Sequence, residues 1–345
     1  MAPTTTQQWL VEDTTGFDAL KLQKDVPIPA LGDHDCLVEI KAVSLNYRDL
    51  IIPKGKYPFP LALPVIPASD GAGTVVSVGS RVSEFKPGDK VCTLFNQGHQ
   101  AGSLTPKSIG TGLGGAVNGT LREYGVFEET GLVRMPENLT FNEGATLSCA
   151  ALTAWNALYG QNPLKPGDWV LTQGTGGVSI FAIQFAVAAG ATVIATTSSD
   201  EKAQKLTALG AKHVINYKTD SEWGTTAAKI TPGGEGVHHV VEVGGPESMR
   251  QSFKAVKIDG TITVIGFLGG VKGGPSPLEA LNNICSIRGV LVGSRQQFQD
   301  MNHAIEANDI NPVVDPNVFG FDKVLDAYQY QWDQKHFGKV VVSIP

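Results

Sequence analysis

Residues 169–197 read WVLTQGTGGVSIFAIQFAVAAGATVIATT, and this stretch decides the predicted fold. Trp169–Thr172 is a short apolar run typical of a buried strand, and three glycines follow within residues 174–177. A run rich in Ala, Ile and Phe then leads to Gly190, a residue type at which helices commonly end. Ala191–Thr197 is a second β-branched run. Strand, glycine turn, helix and strand in this order predict the first βαβ unit of a dinucleotide-binding sheet.

The glycine turn has the properties that a pyrophosphate site needs. Gly174 permits a tight turn, and Gly176 lets the backbone approach the anion, toward which the free N–H groups of the new helix point. Ser179 replaces the third glycine of G-x-G-x-x-G but is small enough for close packing. An ordinary glycine turn is the alternative; the strands and helix around the motif favour phosphate binding. The predicted cofactor contacts in this turn are Gly174, Thr175, Gly176, Gly177 and Val178.

The end of the second strand indicates which dinucleotide is bound. NAD sites usually carry an Asp or Glu there, whereas residues 195–199 read ATTSS. Asp200 and Glu201 fit the cap and first turn of the next helix instead. Lys202 lies one turn into that helix and is placed to reach a 2′-phosphate, with Ser198 donating a hydrogen bond, although a lone lysine there is more often a solvated surface residue. The missing acid, the hydroxyl and the lysine together predict NADPH.

Composition places the chain among globular proteins. Its 345 residues suggest two domains, and 42% apolar with 17% charged residues allows a substantial core. The net charge of −6 does not indicate a nucleic-acid or anionic-membrane partner. The amino terminus does not read as a signal peptide, and no run of about 18 apolar residues predicts a membrane span. The four cysteines are scattered without a CxxC motif, so we expect a reducing, cytoplasmic location.

The segments before the glycine turn predict a small β-rich domain. Short apolar runs such as Cys36–Val43, Gly73–Val78 and Lys90–Leu94 alternate with turns rich in Pro and Gly. Residues 96–118 are rich in Gly, Ser, Thr and Gln and predict a long loop, with His99 at the surface.

Strands and helices alternate through the rest of the chain. Helices are predicted over Phe141–Leu158, Asp200–Leu209, Glu247–Val256 and Gln297–Ala307, and strands over His213–Tyr217, Val237–Val243, Gly260–Phe267, Gly289–Gly293 and Gly338–Ile344. Strand–helix alternation with glycines at strand ends is typical of an α/β fold with a doubly wound parallel sheet.

Five further segments carry a family resemblance: SLNYRD (44–49), GKYP (55–58), PASDGAG (67–73), KPGDKV (86–91) and ALTAW (151–155). With the glycine turn they make the chain similar, over nearly its whole length, to medium-chain dehydrogenases/reductases. It resembles their zinc-independent branch, which includes quinone oxidoreductase-like and alcohol dehydrogenase-like members. The resemblance implies an α/β protein with a GroES-like β-domain plus a Rossmann domain, the nicotinamide lying in the cleft between them. We assign residues 1–128 and 298–345 to the GroES-like domain and 129–297 to the Rossmann, NADPH-binding domain.

The resemblance also indicates whether the chain carries the ligands of a zinc ion. Zinc-dependent members carry a Cys where this chain has Asn46, and Gly-His-Glu where it has Ala68-Ser69-Asp70. Catalytic zinc needs about three protein ligands, and of the matching positions only Asp70 is a ligand type. Cys149 is the sole possible thiolate and is expected to be a small buried apolar residue. The four-cysteine lobe of a structural zinc is missing from the sequence, so we predict no metal.

Hydride transfer without a metal still needs a donor where negative charge develops on a substrate oxygen. By resemblance, Tyr47, Tyr57 and Asn46 lie in segments that flank the nicotinamide and are the candidate catalytic residues. Ordinary packing is the alternative for both tyrosines. Arg48 is more typical of an ion-pair partner, and Asp49 of a structural acceptor.

The resemblance implies further cofactor contacts, most of them at strand ends where ligands bind in such sheets. They are Asn46, Thr153, Tyr217, Val243, Gly244, Phe267, Leu268, Val292, Ser294, Arg295 and Lys339.

Three functions remain open at this point. The first is an NADPH-dependent oxidoreductase that transfers hydride, without metal, to a small enone or quinone-like substrate. The second is a zinc-independent alcohol dehydrogenase or ketone reductase on the same scaffold, and the third is a non-enzymatic NADPH-binding member. The uncharged, β-branched run Gly289–Val292 matches a strand at which, by resemblance, relatives pair edge to edge across a two-fold axis, and this implies a homodimer. An exposed strand of that kind would otherwise be an aggregation risk.

Overall fold

The computed structural model describes residues 3–268, 270 and 273–345, and the chain forms two compact units. The terminal unit contains the residues up to Leu152 and those from Gly293, so both chain ends share it. The middle unit is Thr153–Val292.

The terminal unit is mainly β. Its first part contains β1 (Thr5–Val11), β2 (Leu20–Pro27), β3 (Asp35–Ser44), α1 (Tyr47–Ile51), β4 (Asp70–Val78), β5 (Lys90–Thr93), α2 (Pro106–Ile109), β6 (Tyr124–Glu128), β7 (Leu132–Arg134) and α3 (Phe141–Gly144). Strands β1 and β2 form a separate antiparallel pair. The short strands predicted at Cys36–Val43, Gly73–Val78 and Lys90–Leu94 correspond to β3, β4 and β5, which pair in that order.

The middle unit is an α/β sheet. It contains α4 (from Leu152 at the boundary to Tyr159), β8 (Trp169–Gln173), α5 (Gly177–Ala188), β9 (Thr192–Thr197), α6 (Asp200–Ala208), β10 (His213–Asn216), α7 (Trp223–Ile230), β11 (Val237–Glu242), α8 (Pro246–Ala255), β12 (Val256–Val264), α9 (Glu279–Asn282) and β13 (Ser286–Gly289). The strand order is β10-β9-β8-β11-β12-β13, and every pair in it is parallel. The order reverses beside β8, the strand that precedes the glycine turn, as in a doubly wound sheet.

The chain then returns to the terminal unit through α10 (Arg295–Ala307), β14 (Phe319–Gly320), α11 (Val324–Trp332) and β15 (Val341–Ser343). The large sheet of this unit runs β14-β15-β3-β4-β5-β7, with β6 paired to β3. β15 therefore lies beside β3 although almost three hundred residues separate them, and this pairing builds much of the candidate site.

The unit boundaries differ from the predicted ones at 128/129 and 297/298. β7 extends the terminal sheet by pairing with β5, and α10 attaches to this unit where Asn302 donates to the carbonyl oxygen of Arg134 at 2.8 Å. The first boundary consequently lies later in the chain, and the second lies earlier.

Two predicted elements have different bounds. The predicted helix Phe141–Leu158 is divided into α3, a π-helical turn at Leu147–Ala151 and α4. The predicted strand Gly289–Gly293 is wrong: the edge strand is β13, which ends at Gly289, and Val292 is buried with a left-handed φ of 55°. Among the described residues, the helices are too short or too polar to cross a membrane.

Candidate active site

The glycine turn between β8 and α5 is open on its outer side. Gly174 has φ 74°, a conformation that disfavours side chains, and its N–H donates to the carbonyl of Thr196 at 2.8 Å. A Cβ atom built on Gly174 or Gly176 would meet nothing within 4 Å. Gly176 is the N-cap of α5 and brings no side chain to the first-turn N–H groups. This cradle fits a pyrophosphate, because open backbone donors and a helix N-terminus converge there.

Ser179 forms a hydrogen bond between α5 and β8, the strand that precedes it. Its hydroxyl donates to the carbonyl of Gln173 at 2.6 Å, and the residue is buried. The third small position of the motif therefore supplies a hydrogen bond as well as close packing.

The ends of β9 and β10 lie side by side. Asn216 is paired with Thr197, so Tyr217 and Ser198 follow at adjacent strand ends, both exposed. The Tyr217 N–H donates to the carbonyl of Thr197 at 3.0 Å, which holds the two loops together. The tip of β9 thus presents a hydroxyl and an aromatic ring.

The acids after β9 belong to the next helix, as the sequence predicted. Ser199 is the N-cap of α6, Asp200 and Glu201 form its first turn, and the Asp200 carboxylate accepts from Asn216 Nδ2 at 2.9 Å. Lys202 lies in the same turn, and its N–H donates to Ser199 Oγ at 3.4 Å.

The loop after β11 is organised by a buried carboxylate that sequence reasoning missed. Glu242 is fully buried and accepts from the N–H groups of Gly244 and Gly245 at 2.8 and 3.0 Å. Gln173, Ser248 and Ser252 also donate to it, at 2.7, 2.5 and 2.5 Å. These five donors satisfy the carboxylate without a cation. The predicted contacts Val243 and Gly244 therefore sit on a rigid strand end.

The neighbouring strand end carries Phe267 and Leu268. The Leu268 N–H donates to the carbonyl of Val243 at 3.3 Å, so the four predicted residues at these two strand ends lie in one group. Leu268 is half-exposed.

In the terminal unit, three adjacent strands bring together a cluster of polar side chains. Ser44 at the end of β3 pairs with Asp70 on β4 and with Val341 on β15. Asn46 follows β3 and Lys339 precedes β15, and the Leu45 N–H donates to the carbonyl of Val340 at 3.0 Å. Asn46, Asp70 and Lys339 consequently meet at one edge of the sheet.

The ammonium group of Lys339 lies at the centre of this cluster. It donates to Leu45 O at 2.7 Å and to Asn46 Oδ1, and it lies 3.7 Å from Asp70 Oδ2. All three side chains are buried. Within the described part of the chain, Asn46 Nδ2 is buried without an acceptor. An unsatisfied buried donor costs about 1–3 kcal/mol, so this N–H₂ is a group that a ligand would stabilise.

Asp70 also connects the cluster to the π-helical turn. It accepts from the Cys149 N–H at 3.2 Å through Oδ2 and from Ser69 Oγ at 2.6 Å through Oδ1. Burial, together with the nearby Asp70 carboxylate, raises the pKa of the Cys149 thiol to about 12. The residue is only half-buried, which differs from the prediction. Among residues 3–268, 270 and 273–345, we find no group of three or more His, Cys, Asp and Glu suited to a metal ion.

Arg48 and Tyr57 form a second group close in sequence to Asn46. Arg48 Nε donates to Tyr57 Oη at 3.2 Å, and its Nη1 donates to Leu113 O at 2.8 Å. The guanidinium also lies over the Tyr57 ring, 4.9 Å from its centroid. Because the Tyr57 oxygen accepts from arginine, its own hydrogen is directed elsewhere. Tyr47 packs against the core of this unit and is partly buried.

Asp49 is a structural acceptor, as expected. Its Oδ2 accepts from the Asn46 N–H at 2.8 Å, and its Oδ1 lies 3.4 Å from Arg48 Nη1. Burial raises the pKa of the Asp49 carboxyl to about 6, although Arg48 and the Asn46 N–H act in the opposite direction.

Several predicted cofactor residues are engaged elsewhere. Ser294 is the N-cap of α10 and exchanges two hydrogen bonds with Gln297. Arg295 donates to Leu132 O at 2.9 Å and to the Glu84 carboxylate, so its guanidinium is held inside the terminal unit. The carbonyl of Val292 accepts from Asn156 Nδ2 at 2.6 Å. Thr153, at the start of α4, is buried. The side chains of Ser294 and Arg295 are therefore held by partners within the terminal unit.

The surface position predicted for His99 is wrong. The residue is buried, and its Nε2 lies 3.0 Å from the carbonyl oxygen of Gly102. Its loop is folded onto the terminal unit, with Leu113 bound to Arg48.

Two family models match the chain: "Alcohol dehydrogenase GroES-like domain" over residues 32–137 and "Zinc-binding dehydrogenase" over residues 177–307. The zinc-type alcohol dehydrogenase-like protein C1773.06c of Schizosaccharomyces pombe is 48% identical, covering 96% of this chain and 97% of its own length. The 2-methylene-furan-3-one reductase of Solanum lycopersicum is 30% identical, covering 99% of this chain and 79% of its own length.

The fold matches as well. A solved structure from Sinorhizobium meliloti 1021, assigned as an alcohol dehydrogenase, has 40% sequence identity and a TM-score of 0.91, covering 99% of this chain and all of its own. With a GroES-like part, a parallel dinucleotide-binding sheet and full-length relatives of high identity, the chain belongs to the medium-chain dehydrogenase/reductase family and is an NAD(P)H-dependent oxidoreductase.

Proposed function

We propose that this protein is an NADPH-dependent reductase that transfers hydride, without a metal ion, to the β-carbon of a small enone or quinone-like substrate. The observation that carries the proposal is the orphaned amide donor of Asn46, fixed beside a buried ammonium group at the edge of the terminal sheet. A reduced nicotinamide, when bound, supplies the hydride. The residues of this chain stabilise the charge that develops on the substrate oxygen.

Charge distribution explains why a neutral donor is sufficient. When a hydride adds to the β-carbon, the C=C electrons move toward the carbonyl and an enolate forms, whose α-carbon then takes a proton from water. The negative charge is spread over oxygen and carbon, so an amide or hydroxyl donor stabilises it adequately. An isolated ketone concentrates the charge on one oxygen and gains more from a metal ion. Tyr47 and Tyr57 are the alternative donors.

The cofactor part of the proposal is supported by the tips of β9 and β10. Ser198 and Tyr217 present hydroxyl groups at adjacent strand ends, and Lys202 follows in the first turn of α6. The nearest acid, Asp200, is bound to Asn216 rather than extending from the strand tip. We assign these three residues to the 2′-phosphate and the glycine turn to the pyrophosphate. Thr153, Val243, Gly244, Phe267, Leu268 and Val292 are assigned to the nicotinamide side.

The metal-free part is supported by the position of Lys339. Asn46 and Asp70, which occupy two positions where the resemblance places zinc ligands, both face its ammonium group. A divalent cation bound there would lie beside a buried positive charge, and like charges repel strongly at such sites. A cation would therefore first have to displace the lysine.

A specific observation favours a second candidate, a zinc-independent alcohol dehydrogenase or ketone reductase. The Schizosaccharomyces pombe relative is named zinc-type alcohol dehydrogenase-like, which favours alcohol or ketone chemistry, whereas the Solanum lycopersicum relative is named for a ketone conjugated to a C=C bond. NADPH oxidation should be measured with matched enones, quinones and saturated ketones, and the products identified. Faster reduction of the ketones would replace our proposal by this candidate. No turnover of any carbonyl compound, with NADPH binding intact, would favour a non-enzymatic role.

We also propose a homodimer formed through β13. This strand is the edge of the middle sheet, and Ile287 on it is half-exposed. Leu278 and Leu281, just before the strand, expose most of their side chains. Exposed apolar side chains beside an unpaired strand edge are suited to pairing with a second copy.

A further inference from the structure

The side chain of Lys339 can only donate hydrogen bonds. An ammonium group has three N–H donors and no acceptor. Here the donors face Leu45 O, Asn46 Oδ1 and Asp70 Oδ2, all on neighbouring strand ends. The side chain is 4% exposed and Asp70 is fully buried, so water does not replace these partners. The N–H donors of Lys339 thus face acceptors within the protein itself.

The hydrogen bond from Lys339 determines the orientation of the Asn46 amide. The two ends of an amide have almost the same shape, and only hydrogen-bond partners distinguish oxygen from nitrogen. Because the ammonium can only donate, Oδ1 must face it, and Nδ2 must face the other way. The reversed amide would place its N–H₂ against the N–H groups of lysine, donor against donor.

The backbone of Asn46 is held independently. Its N–H donates to Asp49 Oδ2 at 2.8 Å at the start of α1, and Arg48 lies beside that carboxylate. The remaining freedom of this residue is in its side chain, which faces the start of α1 in the Asn46–Asp49 capping box and is bound by Lys339 through Oδ1. Nδ2 then remains without an acceptor within the structure's described residues.

We propose that Lys339 is a positioning residue: its ammonium group fixes the Asn46 amide so that Nδ2 always faces away from the lysine and donates to the carbonyl oxygen of the substrate. The identity of that oxygen rests on the proposed function, whereas the fixed amide does not. This role differs from the cofactor contact that the sequence predicted for Lys339.

The orientation itself is tested by NMR on protein labelled with ¹⁵N-asparagine. The Asn46 side-chain N–H₂ signals are assigned by their loss in Asn46→Asp. We expect one sharp pair in the wild type and in Lys339→Arg, whose guanidinium is also a pure donor, and broadened or doubled signals in Lys339→Met. Unchanged signals in Lys339→Met would overturn the proposal. This NMR experiment needs no substrate, so its outcome does not depend on the reaction type.

The consequence for turnover is tested by a double-mutant cycle. Asn46→Asp keeps an acceptor for Lys339 but has no donor, so kcat should fall about 10²-fold, while the NADPH dissociation constant, measured by fluorescence, changes less than about twofold. Lys339→Met should lower kcat about tenfold in the wild type and less than twofold in the Asn46→Ala background, because it acts through that residue. Lys41→Met is the matched control: Lys41 pairs with Glu39 on the surface of the same sheet and should have no effect.

Two results of the kinetic arm would overturn the proposal. One is equal loss from Lys339→Met in both backgrounds. The other is a weakened NADPH affinity in Asn46→Asp with unchanged kcat, which would assign Nδ2 to the cofactor. If Lys339→Met does not fold, Lys339→Arg and Asn46→Asp still test the proposal. Lys339→Arg should retain at least about half of the wild-type kcat, whereas Asn46→Asp should lower kcat about 10²-fold.

Discussion

Substitution of Gly176 by alanine separates the role of the glycine turn in binding from its role in folding. Gly176 has φ −79° and ψ 169°, a region that every residue adopts, and a Cβ there would meet no atom of the described residues within 4 Å. Replacing glycine where the backbone is compatible stabilises by about 0.4–1 kcal/mol, and alanine is a poorer N-cap by a similar amount. The folded state should therefore change by less than about 1 kcal/mol.

The cofactor, by contrast, should be strongly affected. The added methyl group occupies the space where the pyrophosphate would approach the backbone N–H groups. A hydrogen bond to a charged group contributes about 1.5–3 kcal/mol, so losing one raises the NADPH dissociation constant by at least about tenfold.

The assay is a fluorescence titration with NADPH combined with thermal unfolding of the free protein. Gly110→Ala is the matched control: its φ is −67°, a Cβ would make its nearest contact at 3.4 Å, and it lies in the loop of the terminal unit. A Gly176→Ala protein that unfolds like the wild type and binds NADPH equally well would refute our assignment of the turn.

Four other predictions follow from the same contacts. Lys202→Ala should reduce the preference for NADPH over NADH by about tenfold or more in paired titrations, because one charge-assisted contact to the 2′-phosphate is lost; equal affinities in the wild type would contradict the NADPH assignment. Burial raises the pKa of the Asp49 carboxyl from its ordinary value of 3.8 to about 6 in the folded protein, so the stability that this carboxyl contributes is complete below pH 3.8 and is lost as the pH rises through 6. In urea unfolding between pH 4 and 7, the stability of the wild type relative to Asp49→Asn should fall by up to about 3 kcal/mol, and a constant difference would disprove the shift. Ile287→Lys should give monomers in light scattering if β13 forms the dimer contact, and a monomeric wild type would exclude that dimer. Activity should survive dialysis against a strong chelator; stoichiometric zinc that tracks activity would show that Asn46 and Asp70 have been misread.

The sequence alone was enough to predict those helices, strands and turns that depend on residues close together in the chain. The glycine turn was identified because a strand, a φ-permissive residue and a helix start lie within a few consecutive positions. The first turn of α6 and the end of α5 near Gly190 were predicted for the same reason, since helix ends depend on residues only a few positions apart, although the N-cap of α6 is Ser199 rather than Asp200. β3, β4 and β5 were predicted because short apolar runs there are bounded by turns rich in Pro and Gly. The predicted edge strand after Gly289 failed because a β-branched run there resembles a strand, whereas pairing with β12 ends at that glycine.

Only the tertiary structure decided which side chains meet. Asn46 and Lys339 are separated by 293 positions, and they touch because β15 pairs with β3 in one particular register. The ion pair of Arg295 with Glu84 and the burial of Glu242 likewise depend on strands and loops that are distant in sequence. Residue types indicated a polar site, but periodicity carries no information about register between distant strands. The donor that we propose for the substrate is therefore a property of the folded sheet, because the partner that orients it comes from the far end of the chain.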